Sequence, residues 1–180
     1  TALWPLDSAY KEVTTYFDPN RNNGDISGVH NGIDLPAPSG SNIYAVNDGE
    51  CVAAGWMDAY GYMVILHHEQ LGLYTFYAHC SSMAVAVGEK VSAGTVIAYV
   101  GNTGMSYGDH LHYGICTNLR GGYPTTYYYD PLTYFSYGEA AAPVDCGCTE
   151  DYAGTYTTKG VDTYLNIRSG HSTTSTILGM

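Results

Sequence analysis

The sequence predicts a mostly β fold: a compact antiparallel sheet or sandwich with few or no helices. Three observations predict it. The 180 residues include 22 Gly and 19 Tyr but only 6 Lys plus Arg, which favours strands and turns over helices. From Asn42 to Val100 short apolar runs recur between turn residues, as in a sheet of close-set antiparallel strands. No stretch keeps helical periodicity for more than about two turns. Apolar residues make up 45%, enough for one good-sized core and a small appendage.

The elements follow in order. Residues 1–28 carry turn chemistry in Asp18-Pro19-Asn20 and Asn22-Asn23-Gly24 and read as a lead-in and loop. Val29 to Leu35 enters a short strand that Pro36-Ala37-Pro38-Ser39-Gly40 closes. Ile43 to Val46 precedes Asp48-Gly49, a hairpin-type dipeptide, and Glu50 to Trp56 follows. Tyr62 to His67, Tyr74 to His79, Val85 to Val91 and Thr95 to Val100 complete the run. A further strand begins at His110 and ends at Cys116. Tyr123 to Tyr137 is aromatic and loop-like around Asp130-Pro131. Glu139-Ala-Ala-Ala-Pro143 resembles a linker. The expected division is a main domain over 1–138, a linker over 139–150 and a separate segment over 151–180.

Charge narrows the partners. A formal charge of −11 repels phosphate backbones and anionic lipid, which argues against nucleic acid and membrane surfaces. No apolar run approaches a membrane span, so no insertion is expected. The chain opens at Thr1 with no signal-peptide pattern and reads as a mature or excised segment. Tyr, Thr and Ser richness with few Lys suits an exported protein. Five cysteines (Cys51, Cys80, Cys116, Cys146, Cys148) leave an odd set in which some pairing is expected.

The chemistry concentrates in a few polar positions. His110 and His112 flank Leu111 on a strand, so both imidazoles share one face and Leu111 and Tyr113 the other. Two imidazoles on one face can share a metal, or one can hold a metal while the other moves protons. His30 and Asp34 lie at even spacing around Gly32 and can converge on one face, either as metal ligands or as a surface group and a turn residue. His79 ends an aromatic strand, where it could serve a site or sit half-buried in the core.

These positions resemble peptidase family M23, the lysostaphin-like or LytM-type zinc metallopeptidases. The resemblance rests on His30-x-x-x-Asp34, on Tyr77-Ala78-His79, and on Gly101-x-Thr103-Gly104-x-Ser106-x-Gly108-x-His110-Leu111-His112. Trp4-Pro5-Leu6, Gly32-Ile33-Asp34-Leu35-x-Ala37-Pro38-x-Gly40, Ile43-Tyr44-Ala45, Asp48-Gly49 and Val87-Gly88-Glu89-Lys90-Val91-x-x-Gly94 agree with it in order, over about residues 4–116. It implies a β domain with a narrow groove over one zinc ion held by His30, Asp34 and His112. His79 and His110 would be catalytic and not ligands. Three protein ligands leave a position for water or a substrate carbonyl. The implied activity is hydrolysis of peptide bonds in bacterial cell-wall peptidoglycan by a secreted, wall-associated enzyme, expected as a monomer. The alternative is a non-catalytic wall-binding or regulatory protein that keeps the zinc for structure. All five residues are present, which favours an enzyme. After His112 the chain departs from the common Phe-Glu-Val continuation with Tyr113-Gly114-Ile115-Cys116.

Residues 10–28, 56–61 and 117–137 are the expected groove-lining loops. The tail from Val161 to Gly179, with Tyr164-Leu-Asn-Ile-Arg-Ser-Gly170, resembles the opening of a bacterial SH3-type (SH3b) domain and spans about half of one. It is expected to be a shortened module or a strand pair leaning on the main domain. His67 and His68 end a strand and are expected to be structural, and His171 solvated. Cys146 and Cys148 have poor spacing for structural zinc, so a disulfide to Cys51, Cys80 or Cys116 is expected instead. Cys80 adjoins His79, which raises a catalytic thiol as a minor alternative to the zinc set.

Overall fold

Strands form here where β-branched and aromatic residues alternate, because extended backbone sends successive side chains to opposite faces. The computed structural model describes residues 2–19, 22–23, 26–27, 30–120, 122–124 and 127–138. Its strands are β1 (Asn22–Asn23), β2 (Ile26–Ser27), β3 (Ile33–Pro36), β4 (Asn42–Tyr44), β5 (Gly49–Trp56), β6 (Tyr62–His68) and β7 (Leu73–Cys80). They continue as β8 (Ser82–Met83), β9 (Lys90–Val91), β10 (Val96–Tyr99), β11 (His110–Cys116), β12 (Leu119–Arg120), β13 (Tyr123–Pro124) and β14 (Tyr128–Tyr129). The main sheet runs β14–β11–β7–β6–β5–β9, with β3 also paired to β11. A second sheet runs β4–β10–β8, and β1–β2 and β12–β13 are two-stranded ribbons. Every pairing among the described residues is antiparallel, as expected.

The main core packs on one face of the large sheet. Ile33, Leu35, Val64, Leu66, Tyr77, Leu111, Tyr113 and Ile115 are buried there with Ile43, Val46 and Ile97. Full burial of each large aliphatic side chain contributes about 1.5–3 kcal/mol. A smaller cluster of Met63, Ile65, Phe76, Ala78 and Cys116 covers the opposite face. His79, His110 and His112 share that second face.

Four expectations need correction. Asp48-Gly49 does not turn a hairpin, because β4 pairs with β10 while β5 pairs with β6 and β9. The chain crosses between sheets at this point. Asp48 Oδ1 accepts from the Ala93 N–H at 2.8 Å. A Cβ at Gly49 would stand 2.8 Å from the His67 carbonyl, so the glycine permits close approach rather than reversal. The run from Val85 to Val91 is a strand only at β9, because Gly88 turns the chain at φ +88. Within the expected loop 123–137 there is a helix, α1 (Pro131–Gly138). Asp130 Oδ1 accepts the Leu132 N–H at 3.0 Å and Pro131 takes the first helical position, both ordinary helix-start chemistry. Cys51 and Cys80 are buried thiols rather than halves of disulfides, enclosed by packed sheet, and Cys116 is buried in the sheet as well. Cys146, Cys148, the linker, the SH3b-like segment and His171 lie outside the described residues. No helix among the described residues is long and apolar enough to cross a membrane.

His67 and His68 have the structural contacts expected of them. His67 stacks on Tyr74 with ring centroids 4.5 Å apart. His68 is buried; its Nδ1 meets the Asp48 carbonyl at 2.8 Å and its Nε2 the Thr75 hydroxyl at 2.8 Å. Burial lowers the His68 pKa below the ordinary histidine value. A depressed pKa means the unfolded chain takes up the proton first, so His68 stabilises above about pH 6.5 and that stability is lost as pH falls. His68→Asn keeps a donor toward Asp48 but does not titrate. The stability advantage of the parent over this variant should therefore shrink between pH 8 and pH 5 in urea denaturation. A constant or growing advantage would contradict this assignment.

Candidate metal centre

Strand register assembles the centre. β3 pairs with β11 so that Asp34 opposes His112, Leu35 opposes Leu111 and Ile33 opposes Tyr113. Ile33, Leu35, Leu111 and Tyr113 all face the main core, so Asp34, His110 and His112 share the other face. A slip of one residue would turn Asp34 into the core, which makes the register costly to change. Gly32 is what lets β3 come this close. A Cβ there would overlap the Tyr113 carbonyl, a main-chain atom that cannot swing aside. Gly32→Ala should cost about 1–3 kcal/mol and weaken metal binding together with stability. Denaturation and zinc titration of the same variant check this.

His30 lies just before β3. It exchanges both backbone hydrogen bonds with Asp18, and Asp34 bridges Thr15, so the 10–19 segment is zipped along the donor residues. The His30 Nδ1–H donates to the Tyr16 carbonyl at 2.8 Å, which turns Nε2 toward Asp34 Oδ1 at 3.2 Å. His112 Nδ1 is 2.8 Å from the same oxygen, and its Nε2 is 3.0 Å from Asn31 Oδ1. The donor atoms of His30, Asp34 and His112 all lie within 4.8 Å of one another.

His79 joins this face by breaking the alternation of its strand. Tyr77 and Cys80 both belong to the main core, so Ala78 and His79 both point away from it. The pairing of β6 with β7 shifts register between Tyr62 and Val64, placing two residues against one in a β-bulge. His79 takes φ +59 there, a conformation uncommon outside glycine. The bulge aims its ring at His110 (centroids 4.8 Å apart) and His112 (5.9 Å). The His79 Nδ1–H donates to the Thr103 carbonyl at 2.8 Å, and the His110 Nδ1–H to the Gly108 carbonyl at 2.8 Å. Thr103 is itself pinned: its hydroxyl donates to the Cys80 carbonyl at 2.6 Å and accepts from the Tyr62 N–H at 3.0 Å.

The electrostatics follow from burial. Burial pushes the His79 pKa down to about 4 and lowers that of His112, so both rings are neutral at pH 7. The neutral form is the one that binds a metal or accepts a proton. Burial raises the Cys80 thiol to about 12, and its Sγ faces the Tyr77 carbonyl at 3.3 Å, on the core side. That makes it a poor nucleophile.

The donor set fits a zinc ion. Two ligands about 2 Å from a tetrahedral ion stand about 3.3 Å apart, close to the 3.2 and 2.8 Å that separate Asp34 Oδ1 from His30 Nε2 and His112 Nδ1. With its Nδ1–H committed to Tyr16, His30 turns a nitrogen lone pair toward an ionised carboxylate. That arrangement is repulsive unless a cation lies between them. Each metal-facing histidine also has its second nitrogen on an oxygen acceptor, the usual outer support of such ligands.

All five sequence-predicted residues are therefore brought together. Sequence reasoning missed Asn31 and Tyr60, whose signal was slight: a polar residue beside a candidate ligand and one tyrosine among nineteen. The three expected loops all reach the centre's surroundings. Tyr16 supplies a carbonyl to His30, the Tyr60 ring lies 6.0 Å from that of His112, and Tyr128 packs against Phe76 at 6.3 Å.

An antiparallel β fold with two histidines and a carboxylate around one point, flanked by two further imidazoles, has the layout of a metal-dependent hydrolytic centre. The model of peptidase family M23 matches residues 28–124, and the chain belongs to that family. It is 31% identical over 119 residues to the peptidoglycan DD-endopeptidase ShyB of Vibrio cholerae, covering 65% of this chain and 28% of that protein. The chain spans less than a third of the length of the curated relatives it matches. Among solved structures, the catalytic domain of lysostaphin from Staphylococcus simulans aligns with TM-score 0.63 and 28% identity over 71% of this chain and 93% of that one. A zinc-containing peptidase from Vibrio cholerae aligns with TM-score 0.61 and 29% identity over 69% of this chain and 39% of that one.

Proposed function

We propose that this chain is a secreted zinc endopeptidase that hydrolyses a peptide bond in the stem peptide or cross-bridge of bacterial peptidoglycan, acting as a monomer. One observation carries the reading: His30, Asp34 and His112 converge on a point beside which His79 and His110 lie with their rings 4.8 Å apart. Support comes from relatives named as peptidoglycan DD-endopeptidase and zinc-containing peptidase.

His30 Nε2, an Asp34 oxygen and His112 Nδ1 would hold the zinc. When bound, zinc supplies a Lewis acid that acidifies water and polarises a peptide carbonyl. The remaining work belongs to the protein. Thr103 and Gly108 hold the Nδ1–H of His79 and His110, which leaves each Nε2 to accept a proton. One of these imidazoles takes the proton of the attacking water and later gives it to the leaving amine. An imidazole carrying that proton donates to the developing oxyanion. Tyrosines of the three flanking loops line the approach of the peptide.

Residues 1–138 are the catalytic domain in this reading, 139–150 a linker, and 151–180 an SH3b-like segment that engages the wall. Because the net charge of −11 opposes adhesion to anionic wall polymers, that engagement would have to be specific. Tyr164→Ala in the full chain should then reduce co-sedimentation with insoluble wall without slowing cleavage of a soluble stem peptide.

The deciding experiment combines metal analysis with turnover on purified peptidoglycan of several types. One zinc per chain and the release of new amino groups, abolished by chelator, is the expected result. Bound zinc with no hydrolysis of any wall type would overturn the enzyme in favour of a non-catalytic wall-binding protein. Mass spectrometry of the products identifies the bond.

A further inference from the structure

His79 points where regular alternation would not send it, so other groups must hold it there. The bulge sets Ala78 and His79 against Met63, and Tyr62 and Cys80 are the first pair beyond it. A φ of +59 is unfavourable for a residue with a Cβ, and it persists only where the surroundings fix the residue from more than one side. Thr103 supplies that fixing. Its carbonyl accepts the His79 Nδ1–H at 2.8 Å. Its hydroxyl lies between the main-chain groups of the closing pair, donating to the Cys80 carbonyl at 2.6 Å and accepting from the Tyr62 N–H at 3.0 Å. One residue thus grips the ring of His79 and both strands at its kink.

Thr103 has little room to shift. A Cβ at Gly61 would stand 2.4 Å from the Thr103 carbonyl carbon, and a Cβ at Gly104 would stand 2.3 Å from the Gly61 nitrogen. These two glycines let the 58–61 turn press directly on residue 103. The Met105 N–H donates to the Ala59 carbonyl at 2.8 Å, which ties the two segments together. On the Cys80 side the spacing depends on chemistry. A carbon atom approaches a carbonyl oxygen no closer than about 3.3 Å, so the 2.6 Å contact requires a hydroxyl at residue 103. A methyl group in its place would push residue 103 away from β7, and the carbonyl that holds His79 would move with it.

We propose that Thr103 is a positioning residue for His79: its hydroxyl closes the β-bulge, and this keeps its carbonyl where it aims the His79 ring at His110. The proposal rests on reading His79 as a catalytic imidazole, but the placement of the ring can be observed without turnover.

The test uses the full chain, with kinetics on solubilised peptidoglycan, metal analysis and crystal structures. Thr103→Val exchanges the hydroxyl for a methyl group of nearly the same shape. Its kcat should fall about 10–100-fold, the scale of a displacement of about 1 Å, while KM and one zinc per chain are kept. Thr103→Ser keeps the hydroxyl and should stay within about threefold of the parent. Because Thr103 acts through His79, adding Thr103→Val to His79→Ala should slow that variant by no more than about twofold. A merely structural role would slow both backgrounds alike. A full further loss in the His79→Ala background would overturn the proposal, and so would a Thr103→Val variant as active as the parent. If Thr103→Val does not fold, Thr103→Ala takes its place in the same comparisons. In the crystal structure of the variant the His79 ring should have left the Thr103 carbonyl, and an undisplaced ring would overturn the positioning role whatever the activity. A parent that hydrolyses no wall type, with the ring displaced in the variant, would instead refute the proposed function and leave the positioning role standing.

Discussion

His112→Ala is expected to give a folded protein that holds no zinc and hydrolyses no wall peptide. His112 is the donor that joins the two halves of the centre. It opposes Asp34 across the β3–β11 pairing and Ala78 across β7. Two donors, His30 and Asp34, would remain. The loss of affinity should go well beyond the roughly 10–100-fold typical of losing an outer-shell partner. The variant also leaves the Asn31 amide without its ring partner, so stability falls as well, and a far-UV spectrum is needed beside the metal titration. Zinc retained at one per chain would remove His112 from the ligand set.

His110→Ala and His79→Ala should do the opposite with metal: zinc content stays at one per chain while turnover falls about 10²–10⁴-fold. That is about 3–5 kcal/mol on the barrier. Neither ring supplies a donor to the converging set. His110 Nε2 is 3.6 Å from Asp34 Oδ1, farther than the His30 and His112 nitrogens, and each ring has its Nδ1–H tied to a carbonyl. If the two imidazoles act on the same proton, the double variant should be scarcely slower than either single one. The contrast with His112→Ala is the sharp test, because two neighbours on one strand are assigned different work. Equal loss of metal from His110→Ala and His112→Ala would show that the division of roles is wrong.

Much of this centre is legible in the amino-acid sequence. The period of a strand puts His110 and His112 on one face and Leu111 and Tyr113 on the other, and the core takes the second pair. The even spacing of His30 and Asp34 points to convergence, and the two side chains meet at 3.2 Å. Strands with clean alternation, such as β6 and most of β7, are readable for the same reason. Where pairing is non-local, the sequence says less. Asp48-Gly49 has the composition of a hairpin, yet the choice of partner strand depends on where β10 lies, and local sequence carries no record of that. Asp130-Pro131 is a helix-start signal, but the aromatic residues after it have the composition of a loop.

The residue types and order of His30, Asp34, His79, His110 and His112 determined the kind of chemistry, and strand periodicity determined which pairs could share a face. Tertiary structure decided the rest. Regular alternation would send His79 into the core with Tyr77, and only the bulge against β6 turns it toward His110. The ring orientations of His30, His79 and His110 are likewise set by carbonyls elsewhere in the chain, those of Tyr16, Thr103 and Gly108. The physical reason is the same in both cases. Local sequence specifies which way a side chain points along its own strand, while a register shift or a distant carbonyl acts only once another strand has been laid beside it.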